Sequence, residues 1–228
     1  MTRKHTFSSN STIDNLRDEI NRLKNEAFRM ESNLTFEIET LKRENKKLQE
    51  LVVLDSLTQV TNRRGFTPSL ERIISQLPLA NGEEESRRAT LESCGLLMLD
   101  VDHFKATNDN YGHPFGDQVL VAIAHALKNT VRTFDRVCRY GGEEFVIILP
   151  GVVASGLEIA AEKIRAAVAA LRFDEHSGFK VTVSIGGSIQ FYQTDEKSIG
   201  ETLINQADSA MYCSKQTGRN RFTMASEL

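Results

Sequence analysis

The sequence predicts an α/β fold of the α+β kind, a mixed central sheet flanked by helices and preceded by a long coiled-coil helix. Three features predict it. Residues 13–52 contain neither Pro nor Gly, and apolar residues recur there at steps of three and four. Farther on, short β-rich apolar runs alternate with amphipathic or Ala-rich helical stretches. Two of those runs flank Gly141-Gly142, a hairpin signal, so hairpin and crossover connections share one sheet.

Taken in order, residues 1–12 are polar and read as a disordered N-terminus. Residues 13–54 read as a dimerising coiled coil. Ile13, Leu16, Ile20, Leu23, Ala27 and Met30 form one seam, and Leu34, Ile38, Leu41, Asn45, Leu48 and Val52 continue it, with mixed charges between them. The consecutive steps of four from Met30 to Leu34 to Ile38 make a stutter, which locally unwinds a left-handed supercoil. A lone Asn at core position 45 favours a parallel pair in one register. Residues 55–228 are the globular part. A helix is expected at 66–77, ending before Pro78, and residues 81–93 read as an exposed charged loop. Residues 94–102, CGLLMLDVD, suit a buried strand, and 103–116 a loop. Asp117 stands where it would cap a helix over 118–130. The hairpin follows, then a helix over 154–171, a strand in FKVTVSIGGSIQF, a helix over 200–216 and a closing strand in RNRFTM.

Composition narrows the function. The chain of 228 residues is 40% hydrophobic and 26% charged, with a formal net charge of −3, so nothing pulls it generally to nucleic acid or an anionic membrane. No apolar run approaches the ~20 residues that span a bilayer. The polar N-terminus lacks the apolar core of a signal peptide, and a cytoplasmic location is expected. Cys94, Cys138 and Cys213 are too few and too scattered for a disulfide framework or a zinc site.

The chemistry is expected where carboxylates gather. Asp100 and Asp102 close the first buried strand, on one face by alternation, and Glu143 and Glu144 follow the Gly-Gly turn. If the hairpin pairs beside that strand, a hairpin acid meets Asp100. Such oxygen ligands suit Mg²⁺, which keeps waters and binds substrate phosphates through one or two carboxylates. Bare Gly141 and Gly142 would let a nucleotide approach the backbone.

Five segments in order, DSLTQVTNRRGF, LDVDHFKATNDNYGHPFGD, RYGGEEF, VSIG and ADSAMYCSKQTGRNRF, make the chain resemble diguanylate cyclases, the GGDEF-domain enzymes, over about residues 55–223. The resemblance implies a palm-like nucleotidyl-cyclase domain that condenses two GTP into cyclic di-GMP and two pyrophosphates. It implies Mg²⁺ or Mn²⁺, two ions per site, held by Asp100, the carbonyl of Val101 and Glu143. Glu here replaces the third letter of the family signature. Glu144 matches the acid that supports the metal site and the attacking 3′-hydroxyl. Asn108 and Asp117 match the guanine readers. His103, Phe104 and Lys105 match the loop over the phosphates, with Lys105 expected to act in catalysis. Lys215 and Arg219 match a triphosphate clamp on one helix face. Arg132 and Asp135 match an inhibitory RxxD site for the product, completed by Lys163 where the family often has Arg. Facing sites require a homodimer, which the parallel coiled coil would supply by raising effective concentration. A change of register at the stutter would then rotate the paired domains. Neither nucleic acid nor membrane is expected as a partner. The second reading is a catalytically inactive domain that binds GTP or cyclic di-GMP as a receptor.

Overall fold

The computed structural model describes residues 6–51, 53–79, 91–192 and 199–228. The chain divides into two compact units, Met1–Val52 and Val53–Leu228. The first is one helix, α1 (Thr6–Leu51), of 46 residues. It begins inside the stretch expected to be disordered, because no Pro or Gly interrupts residues 6–12. Of the expected seam, Leu16, Ile20, Leu23, Met30, Leu34, Ile38 and Leu41 are 49–68% exposed in the single chain. Asn45 is exposed as well, whereas the side chains of Ile13, Leu48 and Val52 lie outside the described residues. Away from the seam, Arg22 pairs with Glu26 one turn on. Ser32, Thr35 and Thr40 donate to carbonyls four residues back, so their hydroxyls do not compete with the helix.

The second unit is a six-stranded sheet with helices on both faces. Its strands are β1 (Thr61–Asn62), β2 (Cys94–Val101), β3 (Arg136–Arg139), β4 (Glu144–Pro150), β5 (Val183–Gln190) and β6 (Phe222–Met224), ordered β1-β3-β4-β2-β5-β6. The helices are α2 (Arg63–Ile74), α3 (Phe104–Tyr111), α4 (His113–Thr130), α5 (Ala154–Ala169) and α6 (Ile199–Gln216). β2 runs antiparallel to β4 and β5, while β1 and β6 join the edges in parallel. All eight residues of β2 are buried, which is why it reads as a continuous apolar run. Alternation still sorts them. Leu97, Leu99 and Val101 pack with Val119, Ile123 and Leu127 of α4 and Leu157 and Ile164 of α5. Leu96 and Met98 pack with Phe66 and Leu70 of α2 and Leu203, Ala207 and Met211 of α6. Asp100 continues the second set and therefore belongs to the α6 side.

Four local expectations change. The loop expected at 103–116 contains α3, whose apolar anchor Phe104 is buried while its Thr- and Asn-rich sequence hides the period. α4 starts at His113 with Pro114 in its first turn, so Asp117 lies inside the helix and does not cap it. α2 starts three residues early, at Arg63, where Asn62 accepts from Gly65 N as its N-cap. β2 ends at Val101, so Asp102 has left the strand and strict alternation no longer aims it with Asp100. The expected charged loop falls largely on residues 81–90, outside the described ones. No described helix is long and apolar enough to cross a membrane.

Candidate active site

The signature turn is carried to the end of β2 by strand pairing. β4 pairs with β2 in the register Asp100↔Glu144, and Val101 N donates to Glu143 O across 3.2 Å. Tyr140 N donates to Glu144 O at 2.8 Å and closes the hairpin. The Glu144 carboxylate lies against Gly141, so a β-carbon there would displace it. β5 brings α6 to the other side of β2, and Lys215 Nζ lies 2.7 Å from Asp100 Oδ2. The end of β2 thus gathers Asp100, Glu143, Glu144 and Lys215.

The electrostatics are those of acids crowded out of water. Burial pushes the Asp100 carboxyl above its ordinary range; Lys215 opposes that shift and the Asp102 charge adds to it. Burial also pushes Glu143 up, with repulsion from Asp100 and Glu144, again partly relieved by Lys215. A pair that resists ionisation beside one ammonium suits a site that takes a further cation. Among the described residues no three His, Cys, Asp or Glu groups stand close enough to hold a metal by themselves. Two carboxylates and a carbonyl fit Mg²⁺ or Mn²⁺ only with water and phosphate oxygens completing the shell. The chemistry of the set fits that use.

Asp102 is occupied otherwise. Its Oδ2 accepts Thr182 Oγ1 at 2.6 Å and Asn220 N at 3.0 Å, and its Oδ1 accepts Ser184 Oγ at 2.6 Å. Arg219 does not share the helix face of Lys215. α6 ends at Gln216, Gly218 turns the chain at φ +124°, and Arg219 N bonds back to Ser214 O. Arg219 is exposed beyond the helix, and its charge adds slightly to that of Lys215 in opposing the rise of the Asp100 carboxyl.

The expected base readers come from the α3–α4 corner. Asn108, half-buried, lies against Gly116, where a β-carbon would overlap its Oδ1. Asp117 is exposed one turn into α4 and lines a groove of about 600 Å³ with Leu57, Pro114, Gln118 and Val121. Rings hold this corner: His176 lies tilted 4.7 Å from Tyr111 and edge to face 4.5 Å from Phe115, and Phe179 and Phe173 close the cluster. His103 takes a left-handed conformation (φ 59°) before α3, Phe104 is buried, and Lys105 is exposed in the first turn.

Arg132 and Asp135 sit apart from that end of the sheet, in the turn between α4 and β3. The Asp135 carboxylate accepts Arg132 N at 2.8 Å, and both residues line a cavity of about 130 Å³ together with Lys163. Burial raises the Asp135 carboxyl and the Arg132 contacts oppose it. Cys94 and Cys138 are buried, with thiols pushed up to about 12 by burial, and take no part in this chemistry.

Two positioning residues were not assigned from sequence. Arg139 donates Nε and a second guanidinium nitrogen to Gly142 O, at 3.2 and 2.7 Å, inside the signature turn. Its other arm pairs with Asp55 at 3.0 Å. Burial pushes the Asp55 carboxyl up, but hydrogen bonds from Thr58 and Arg139 outweigh it and leave it lowered. Both residues stand in quoted motifs, so position was visible and contact was not. Leu57, which shares the Asp117 groove, was hidden in the same way.

Residues 52–221 match the family described as diguanylate cyclase, GGDEF domain. The chain is 38% identical over 190 residues to diguanylate cyclase VdcA of Vibrio cholerae, covering 82% of this chain and 51% of that protein. It is 36% identical over 183 residues to diguanylate cyclase A of Treponema denticola, covering 79% and 46%. The chain thus spans about half the length of these relatives. Among solved structures it resembles the coiled coil and GGDEF domain of DgcB from Caulobacter crescentus in complex with c-di-GMP. The TM-score there is 0.65 at 31% identity, covering 85% of this chain and 96% of that one.

Proposed function

Because this chain belongs to the diguanylate cyclase GGDEF-domain family, we propose that it condenses two GTP into cyclic di-GMP and two pyrophosphates between facing sites of a homodimer. The observation that carries the reading is the meeting of Asp100, Glu143 and Lys215 at one strand end, with the signature turn fastened there by Val101 N.

Asp100, the Val101 carbonyl and Glu143 are the residues that would hold Mg²⁺ or Mn²⁺, two ions per site. When bound, such ions neutralise phosphate charge and acidify the attacking hydroxyl. Lys215 holds the Asp100 carboxylate until triphosphate arrives, then exchanges it for phosphate oxygens together with Arg219. The two offer a point charge and a forked donor. His103, Phe104 and Lys105 form the loop over the phosphates, and Lys105 adds positive charge there. Glu144 supports the metal site and orients the 3′-hydroxyl. Asn108 and Asp117 read guanine, because a carboxylate accepts from the N1–H and exocyclic amine that adenine does not offer. In each half-reaction the 3′-hydroxyl gives up its proton to solvent as its oxygen bonds to the other nucleotide's α-phosphorus, and the bond from that phosphorus to pyrophosphate breaks.

One chain holds one GTP, so a second copy is required. The exposed seam of α1 supports a parallel coiled coil as the means, since apolar positions about half open to water are stabilised by pairing. The stutter between Met30 and Ile38 offers two registers for control. The DgcB structure is a complex with c-di-GMP, and the shared cavity of Arg132, Asp135 and Lys163 supports reading them as an inhibitory site for the product in this chain. Lys163 lacks the fork of Arg, so the product is held there less firmly.

The test is a nucleotide assay with Mg²⁺ and GTP over a range of protein concentrations, with the product identified by mass. The expected product is cyclic di-GMP, with turnover per protomer rising as dimers form. Folded protein that binds GTP or cyclic di-GMP yet releases no pyrophosphate at any concentration establishes the receptor reading instead.

A further inference from the structure

We propose that Asp102 is a positioning residue for the triphosphate clamp: it pins the turn that carries Arg219 to the strand end that carries Asp100. This rests on the cyclase reading, in which Arg219 meets phosphate.

Asp102 is 7% exposed and uses both carboxylate oxygens on three donors. Thr182 and Ser184, the two hydroxyl donors, belong to β5 and its lead-in, and Asp102 N also donates to Thr182 O at 3.0 Å. These contacts fix the carboxylate to the sheet. Its third donor is the backbone N–H of Asn220, 118 residues away, on the turn after α6.

That turn needs an external hold. Arg219 and Asn220 are both left-handed, with φ of 61° and 44°, a conformation that non-glycine residues seldom adopt unless neighbours impose it. Arg221 Nε donates to Arg219 O, and Arg165 reaches the Asn220 side chain at 3.1 Å. Arg221 is exposed and Arg165 half-buried. Ile185 N holds Arg221 O at 2.9 Å where β6 begins, but among the described residues Asp102 is the one carboxylate bonded to the turn's own backbone, a part-buried, charge-assisted bond of the stronger kind. An ionised carboxylate is also suited to three converging donors, since it only accepts. The Arg219 guanidinium is exposed, so its position follows from the turn and not from packing of its own side chain.

The experiment measures GTP and GMP affinity by calorimetry with Mg²⁺ present, in wild type, Asp102→Ala, Asp102→Asn and Thr182→Val. GMP lacks the phosphates that the clamp holds, so it reports the base subsite and the folded fraction. Loss of the pin is expected to weaken GTP about tenfold in Asp102→Ala, the scale of one charge-assisted hydrogen bond, with GMP unchanged. Asp102→Asn recovers part of that loss, because its oxygen can still accept from Thr182 and Asn220. Thr182→Val, the milder change, shows a smaller loss of the same kind and carries the test should the alanine variant fail to fold. Equal weakening of GTP and GMP, or an unchanged ratio in every variant, overturns the proposal and leaves the cyclase reading standing. A wild-type protein that binds no GTP overturns both.

Discussion

Replacing Gly186 by alanine tests how the clamp is placed. Gly186 is the β5 residue over which α6 crosses, and a β-carbon built there falls well inside 3.0 Å of Ala207 O and Met211 N. Both are backbone atoms, so no rotamer relieves the overlap and the helix must retreat by about 1 Å. Two buried bonds tie that helix to the sheet, Ser214 Oγ to Ile185 O at 2.8 Å and Ser188 Oγ to Leu203 O at 2.7 Å. A retreat of that size stretches both past the useful range, at about 1 kcal/mol each. Overpacking adds about 1–3 kcal/mol. A total of about 3–5 kcal/mol lowers Tm by about 6–20 °C for a unit of this size. Lys215 rides on the same helix, 2.7 Å from Asp100, and a misplacement of about 1 Å costs on the order of 100-fold in rate. Calorimetry with pyrophosphate release at saturating GTP reads both effects. Gly178→Ala is the control, because nothing lies within 4 Å of a β-carbon there. A Gly186→Ala protein with unchanged Tm and turnover would refute the close approach of α6 as the device that sets Lys215.

Gly116→Ala should push the Asn108 carboxamide out of its place while leaving Tm nearly constant, since the overlapped atom ends a flexible side chain. One lost base contact raises KM for GTP about tenfold, and steady-state kinetics decides it. Arg139→Ala frees the Gly142 carbonyl and leaves Asp55 without its ion-pair partner. Turnover should fall at least about tenfold with KM little changed, and unaltered turnover would remove Arg139 from the turn's support. Asp100 and Glu143 have carboxyls raised above their ordinary 3.8 and 4.5, so the folded metal-free chain binds more protons than the unfolded one above those values. Its stability therefore declines as pH climbs from that window through the raised folded-state values, while affinity for Mg²⁺, which needs the ionised pair, rises. Glu143→Gln should flatten the decline and abolish turnover. Tm against pH in a chelating buffer would show otherwise if wild type and variant ran parallel.

What the sequence determined by itself was whatever pattern and order carry. Unbroken three-and-four spacing specifies α1, a continuous apolar run specifies β2, and bare glycines between β-rich runs specify the hairpin. Five motifs in order specify the family. The sequence also placed Asp100 with the hairpin acids, because register follows once two strands are known to pair. Tertiary structure decided what depends on atoms distant in sequence. α3 was illegible because one buried Phe104 and its packing against Gly116 hold a segment of weak helix formers. Asp102 looked like a twin of Asp100 until Thr182, Ser184 and Asn220 claimed its oxygens. Arg219 looked like the next turn of α6 until Gly218 ended the helix. Asp55 and Arg139 lie 84 residues apart and meet only when β1 and β3 pair. A chain shows its periodicities locally, whereas hydrogen-bond partners are chosen by the fold that brings donor and acceptor together.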